Sequence, residues 1–263
     1  MIYENYEMMK FSREGSILVA TFDNPDQRNA LAGKGERDVA RFFYEVATDE
    51  ETRVVILTGA GKAFSAGGDV NQMRDFIDNP QLFYGAITNA KRIVHNILDC
   101  PKPIIAKVNG PAAGLGATIA LLCDVVFAAS TAKFADPHVK VGFTAGDGGA
   151  VVWPYLLGGA AKHYLMTGEP ILATDAERLG MIYKAVEPEK LDEVVSEYAL
   201  KLANGPRRAI ETSKLAANIT LKHIATMTMD AGIAFEALSN YTQDHREAVS
   251  AFLEKRTPAF TGD

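Results

Sequence analysis

The chain has 263 residues, and 27 basic against 33 acidic side chains leave a net charge of −6. That balance opposes a nucleic-acid binder held by phosphate neutralisation, which needs a basic face. Hydrophobic residues make up 48% and charged residues 23%, enough apolar material for a large globular core. Cys100 and Cys123 are too few for a disulfide framework and form no CxxC metal pair, which points to a reducing compartment. The longest apolar runs, such as 117–122, fall far short of the ~20 residues of a membrane span. The opening stretch 1–15 is acidic and lacks the apolar centre of a secretory signal. A cytoplasmic protein is expected, with neither nucleic acid nor membrane as partner.

Residues 16–22 read as a strand, 24–27 as a turn, and about 33–46 as a helix with apolar residues at helical spacing. A buried strand over 53–58 ends at Gly59-Ala-Gly61, and a helix follows around 69–77. A third pass runs from a helix over 83–98 into a strand over 103–108, then through a glycine-rich turn into a helix beginning near Gly114. Strands follow over 123–129 and 132–135. Strand, turn and helix repeated in this way predict an α/β architecture. Past Pro188 the pattern is helical only, in four amphipathic stretches: 189–204, 206–218, 221–240 and 242–255. The expected organisation is an α/β core over 1–195 and a helical C-terminal region over 196–263.

Two phosphate motifs are excluded. Gly59-Ala-Gly-Lys62 would need glycine where Ile56 stands and a Ser or Thr after Lys62, and Gly114-Leu-Gly116 is followed by Ile119 where a dinucleotide fingerprint needs glycine. Two small-residue turns remain, Lys62-Ala-Phe-Ser-Ala-Gly-Gly-Asp69 and Val108-Asn-Gly-Pro-Ala-Ala-Gly-Leu-Gly116. Small residues let a backbone approach a ligand closely, and free N–H groups at a helix start can stabilise an oxyanion. Spacing alone leaves open that these glycines only serve tight turns.

The pair Phe64-Ser-Ala-Gly-Gly-Asp69 and Val108–Gly116 resembles the signature of the enoyl-CoA hydratase/isomerase (crotonase) superfamily. Further matches run along the chain: Asn24-Pro-Asp-Gln-Arg-Asn-Ala-Leu31, Leu122–Ala128, Met166-Thr-Gly168, Ala173–Gly180 and Ala251–Phe260. The resemblance implies a crotonase-like spiral of ββα units with a helical C-terminal region that closes the site and supports a homotrimer or homohexamer. It also implies an acyl-CoA substrate whose thioester carbonyl sits between the backbone N–H groups of Ala66 and Leu115, with no cofactor beyond coenzyme A itself. Leu115 replaces a glycine common in the family, so its side chain should reshape the acyl pocket. Arg28 and Lys62 fall where cations near the CoA phosphates are expected. Phe252, Lys255 and Phe260 fall where a neighbouring subunit's tail touches the adenine end. Ala30, Gly67, Gly68, Asp69, Val70, Gly114 and Thr118 occupy further substrate-binding positions.

Two glutamates of a typical hydratase are replaced here by Thr118 and His138. Threonine is no base near neutral pH. A substitute pair is visible in His138 and Asp147, nine residues apart, since an imidazole and a carboxylate across one pocket form an acid/base couple. From the residues alone, His138 could also pack on a turn and Asp147 could be a helix cap before Gly148-Gly149. The spacing, followed by Val-Val-Trp-Pro154, resembles the branch containing 6-oxocamphor hydrolase, which cleaves a carbon–carbon bond in a β-diketone. That branch implies a C-terminal glutamate, for which Glu236 is the match. His95, His163, His223 and His245 form no metal spacing, so no metal is expected. Asp69 and Asp124 are expected to fix turns. The sequence thus predicts an acyl-CoA-processing lyase or isomerase with a His/Asp pair. The alternatives are a β-dicarbonyl hydrolase and, from another class, a non-catalytic or RNA-binding family member.

Overall fold

The computed structural model describes residues 3–263. Its strands are β1 (Met9–Glu14), β2 (Ile17–Phe22), β3 (Val54–Gly59), β4 (Ile104–Val108), β5 (Ala112–Ala113), β6 (Val125–Ala129), β7 (Lys133–Ala135), β8 (Ile171–Leu172) and β9 (Lys184–Val186). Between and after them run α1 (Lys34–Thr48), α2 (Val70–Asp78), α3 (Phe83–Asp99), α4 (Leu115–Leu122), α5 (Gly149–Leu157), α6 (Ala161–Thr167), α7 (Ala173–Arg178), α8 (Leu191–Ala203), α9 (Arg207–Ser239) and α10 (Gln243–Glu254). Six strands form one sheet in the order β1-β2-β3-β4-β6-β9, and β5-β7-β8 form a second. β1 pairs antiparallel with β2, and every later pairing of the large sheet is parallel.

Position in the sheet follows from composition. All six residues of β3, Val-Val-Ile-Leu-Thr-Gly, are buried, as a parallel strand covered on both faces requires. β1 lies at the edge with most of its residues partly or fully exposed, and only Met9 and Phe11 offered an apolar signal for it. That weak pattern, and the two- and three-residue lengths of β8 and β9, explain why the sequence did not reveal these strands. Phe42, Phe43 and Val46 of α1 and Ile93, Val94 and Ile97 of α3 are fully buried in the core between helices and sheet.

The C-terminal region differs from expectation in one respect. The stretches 206–218 and 221–240 are a single helix, α9, of 33 residues. Asn218 does not break it: its Nδ2 donates to the Leu98 carbonyl at 3.1 Å, and an asparagine costs a helix well under 1 kcal/mol. Leu221, Ala225, Met229 and Ile233 of α9 belong to the same apolar cluster as the sheet. Lys214 of α9 is buried, donates to the Lys102 carbonyl and pairs with Asp124 at 2.8 Å. Asp124 also accepts from Ile104 N, and Asp69 accepts from Asn71 N as the N-cap of α2, so both aspartates fix backbone.

Candidate active site

Two loops meet beyond the ends of β3 and β4. Ser65 bridges to Ala112 and Gly67 bridges to Ala30, which draws the 24–31 loop, the 62–69 turn and the 108–116 turn together. Gly67 has φ +77°, and a Cβ there would stand 2.4 Å from the Ala113 carbonyl, so only glycine fits this approach. The bridging engages the Ala66 N–H, which donates to the Arg28 carbonyl at 2.9 Å. The expected donor at Ala66 is therefore turned to structural use. The Gly67 N–H donates to Ser65 Oγ at 3.1 Å. Among the described residues, no protein acceptor lies on the N–H of Gly68 or of Leu115, the first residue of α4. Those two N–H groups are the free pair.

His138 begins a 3-10 turn (His138–Val141) just after Pro137, with its ring against Gly114. Its Nδ1 lies 2.5 Å from Asp136 Oδ1 and its Nε2 lies 3.5 Å from Asp147 Oδ2. Asp136 is wholly buried, and its second oxygen faces Gly149 at the start of α5, where a Cβ would intrude to 2.1 Å. Asp147 does not cap α5; that place belongs to Gly148 at φ +121°. Gly146, next to Asp147, packs directly on α9, since a Cβ on it would come within 2.3 Å of the Gly232 carbonyl. The imidazole is thus held between two carboxylates, one tight and one across a short gap.

Burial alone would lower the pKa of His138, but Asp147 and Asp136 outweigh it and hold the ring well above the ordinary histidine value. Burial pushes Glu236 up to about 8, with Asp147 adding to the effect. Burial likewise pushes Glu36 up to about 7, opposed by an Asn89 hydrogen bond and assisted by Asp147.

His138 and Gly68 stand where two cavities join. The inner one, about 60 Å³, is walled by Leu115, Phe76, Phe83, Phe143 and Ile233, with Glu36, Asp147 and Glu236 facing in. The outer one, about 390 Å³, is lined by Ala66, Val70, Gly114, Phe252 and Arg256 among others. Asp69 borders the inner cavity. Ala30 stands behind it, bridged to Gly67, while Thr118 is buried against Gly148 and reaches neither cavity. Arg28, Lys62 and Lys255 are exposed and line neither cavity. Phe252 reaches the outer cavity of its own chain, because α10 packs on the chain's own α2 and on the 138–141 turn. Asp136, Glu36 and Arg256 were not singled out from sequence. Asp136 lies two residues before His138 in a run that reads as a turn before proline, and Glu36 gave no signal.

The family model for enoyl-CoA hydratase/isomerase matches residues 12–263, so the chain belongs to that family of acyl-CoA enzymes. The chain is 35% identical over 250 residues to a short-chain-enoyl-CoA hydratase of Clostridium acetobutylicum, covering 93% of this chain and 94% of the relative. Among solved structures, an enoyl-CoA hydratase/isomerase from Mycobacterium paratuberculosis superposes with a TM-score of 0.89 at 33% identity, covering 94% of this chain and 99% of the other. A beta-diketone hydrolase from the cyanobacterium Anabaena, bound to (S)-3-oxocyclohexyl acetic acid, superposes with a TM-score of 0.83 at 30% identity, covering 90% and 95%. The α/β core and helical C-terminal region agree with the crotonase fold expected from sequence.

Proposed function

We propose that the protein hydrates or isomerises an unsaturated acyl-CoA by proton transfer between His138 and Asp147. The observation that carries this reading is the junction of the two cavities, where the free N–H groups of Gly68 and Leu115 stand beside an imidazole flanked by two carboxylates. A thioester oxygen between the two N–H groups takes up negative charge as the double bond is attacked. One such donor is worth about 3–4 kcal/mol of transition-state stabilisation.

In the hydration direction, Asp147 takes a proton from water as its oxygen bonds to the β-carbon. The double-bond electrons move onto the thioester oxygen as an enolate. The N–H at His138 Nε2 then protonates the α-carbon, the enolate collapses, and Asp147 returns its proton across the 3.5 Å gap to the ring. Asp136 keeps the other ring nitrogen protonated throughout, so Nε2 is always the nitrogen that exchanges. Arg28 and Lys62 are assigned to the CoA phosphates. A homotrimer or homohexamer belongs to the same reading, supported by exposed Ile219, Met227, Phe235 and Leu238 along α9.

A second reading is hydrolytic carbon–carbon cleavage of a β-dicarbonyl compound, in which the same pair activates water. Glu236 beside His138 and Asp147 favours it, as does the likeness to the Anabaena beta-diketone hydrolase. Incubation with crotonyl-CoA and with a cyclic β-diketone separates the two. Loss of the conjugated enoyl-thioester absorbance supports the first reading, and turnover of the diketone alone supports the second.

A further inference from the structure

Two carboxyl groups of the inner cavity have no part in the proton transfers above. Glu36 comes from the first turn of α1 and Glu236 from the last third of α9, and each is 8% exposed. Among the described residues neither forms an ion pair, although Arg37 acts at a distance on Glu36 and His138 on Glu236. Glu36 Oε2 accepts one long hydrogen bond, 3.5 Å, from Asn89 Nδ2. Among the described residues the Glu236 carboxyl has no hydrogen-bond partner. Yet both line the cavity, whose remaining wall is largely aromatic and aliphatic.

The charge around them decides their chemical state. His138 already faces the carboxylates of Asp136 and Asp147, and among the described residues no lysine or arginine lines the cavity. Two more negative charges would leave four carboxylates around one imidazolium in a largely apolar enclosure, which burial strongly disfavours. Burial raises Glu36 to about 7 and Glu236 to about 8, in agreement with this. A protonated carboxyl without a protein partner is an O–H donor aimed at whatever fills the space.

Resting on the acyl-CoA reading, we propose that Glu36 and Glu236 donate hydrogen bonds to a neutral oxygen, a ketone or hydroxyl, carried on the substrate's acyl group beyond the reacting carbons. A plain alkyl chain leaves both donors unpaired, and a carboxylate adds charge beside Asp147. Sites built to hydrogen-bond a substrate group reject the analogue lacking it by on the order of 10⁴–10⁵-fold. Two neutral donors on the wall of this cavity should discriminate by about 10²-fold, less than a site built wholly around such a group.

The test compares binding of 5-oxohexanoyl-CoA and hexanoyl-CoA, two esters that lack the double bond, by titration calorimetry on the full chain. The wild type is expected to bind the oxo ester about 10²-fold more tightly. Glu36→Leu should lose about tenfold on the oxo ester and bind hexanoyl-CoA more tightly than wild type, which also establishes that the variant is folded. Glu36→Gln keeps an N–H donor and should restore most of the preference. Equal wild-type affinities for the two esters, or an undiminished preference in Glu36→Leu, overturns the inference while leaving the acyl-CoA reading intact. Binding of neither ester overturns both.

Discussion

Replacing Asp136 by asparagine keeps the shape of the side chain and removes one charge from the histidine. The contact it alters is the shortest in the site, Oδ1 to His138 Nδ1 at 2.5 Å, with Asp136 wholly buried. Taking about 4 Å between the centres of charge and an effective dielectric of about 20, the lost attraction is about 4 kcal/mol. At about 1.4 kcal/mol per pK unit, His138 should fall by as much as about 3 units. Asp147 remains to hold part of the elevation. The ring would then lose its proton within the assay range, and the asparagine amide could donate to Nδ1 and reverse the tautomer. Turnover should drop by on the order of 10²–10⁴-fold at neutral pH, with the alkaline limb of the rate profile displaced toward acid. Paired pH–rate profiles and an NMR titration of the imidazole read both effects. A histidine that titrates as in wild type, with kcat within threefold, would refute the assignment of Asp136 as the positioning partner.

His138→Ala leaves both backbone donors in place, so CoA-ester affinity should hold while turnover falls by ~10²–10⁴-fold; an equal loss in affinity would make His138 structural. Asp147→Asn and His138→Ala should be strongly non-additive, the double variant being little worse than the poorer single, as kinetics on the three variants will reveal. Glu36 is raised to about 7 from an ordinary 4.5, so the folded state binds the extra proton; its stabilising share is complete below pH 4.5 and lost as pH rises through 7. Two and a half pK units amount to about 3 kcal/mol. Glu36→Gln should therefore gain in melting temperature relative to wild type between pH 5 and 8, and parallel melting curves would contradict this. Gly67→Ala should cost both stability and activity, because the new methyl meets the Ala113 carbonyl at a left-handed φ; a thermal melt and a kcat measurement check it.

What could be seen in the sequence depended on whether a feature is local. The six-residue run of β3 and the two glycine turns carry their structure within a few neighbouring residues. The pairing of His138 with Asp147 was legible because nine residues of one loop bring them together. Asp136 was hidden in plain view, since an aspartate before proline reads as a turn residue until its carboxylate is found on Nδ1. The free N–H of Gly68 required knowing that Ala66 pairs with Arg28, a contact across 38 positions. Glu36 lies on a helix whose amphipathic pattern sends glutamates to solvent, and only the packing of α1 against α3 closes a wall over it. The uninterrupted α9 was missed because Asn218 looks like a stop and finds its partner on α3.

α9 rises about 1.5 Å per residue, so its 33 residues make a rod about 50 Å long. Phe235 projects from it to the outside, and the next residue, Glu236, lines the inner cavity. About one turn earlier, Gly232 rests backbone to backbone on Gly146, the neighbour of Asp147. Neither glycine carries a side chain at that contact to absorb displacement. A displacement of α9 near Phe235 should therefore reach the loop of Asp147 and Glu236 in the inner cavity together. The rod makes the outer surface at Phe235 and the loop of Asp147 parts of one mechanical element.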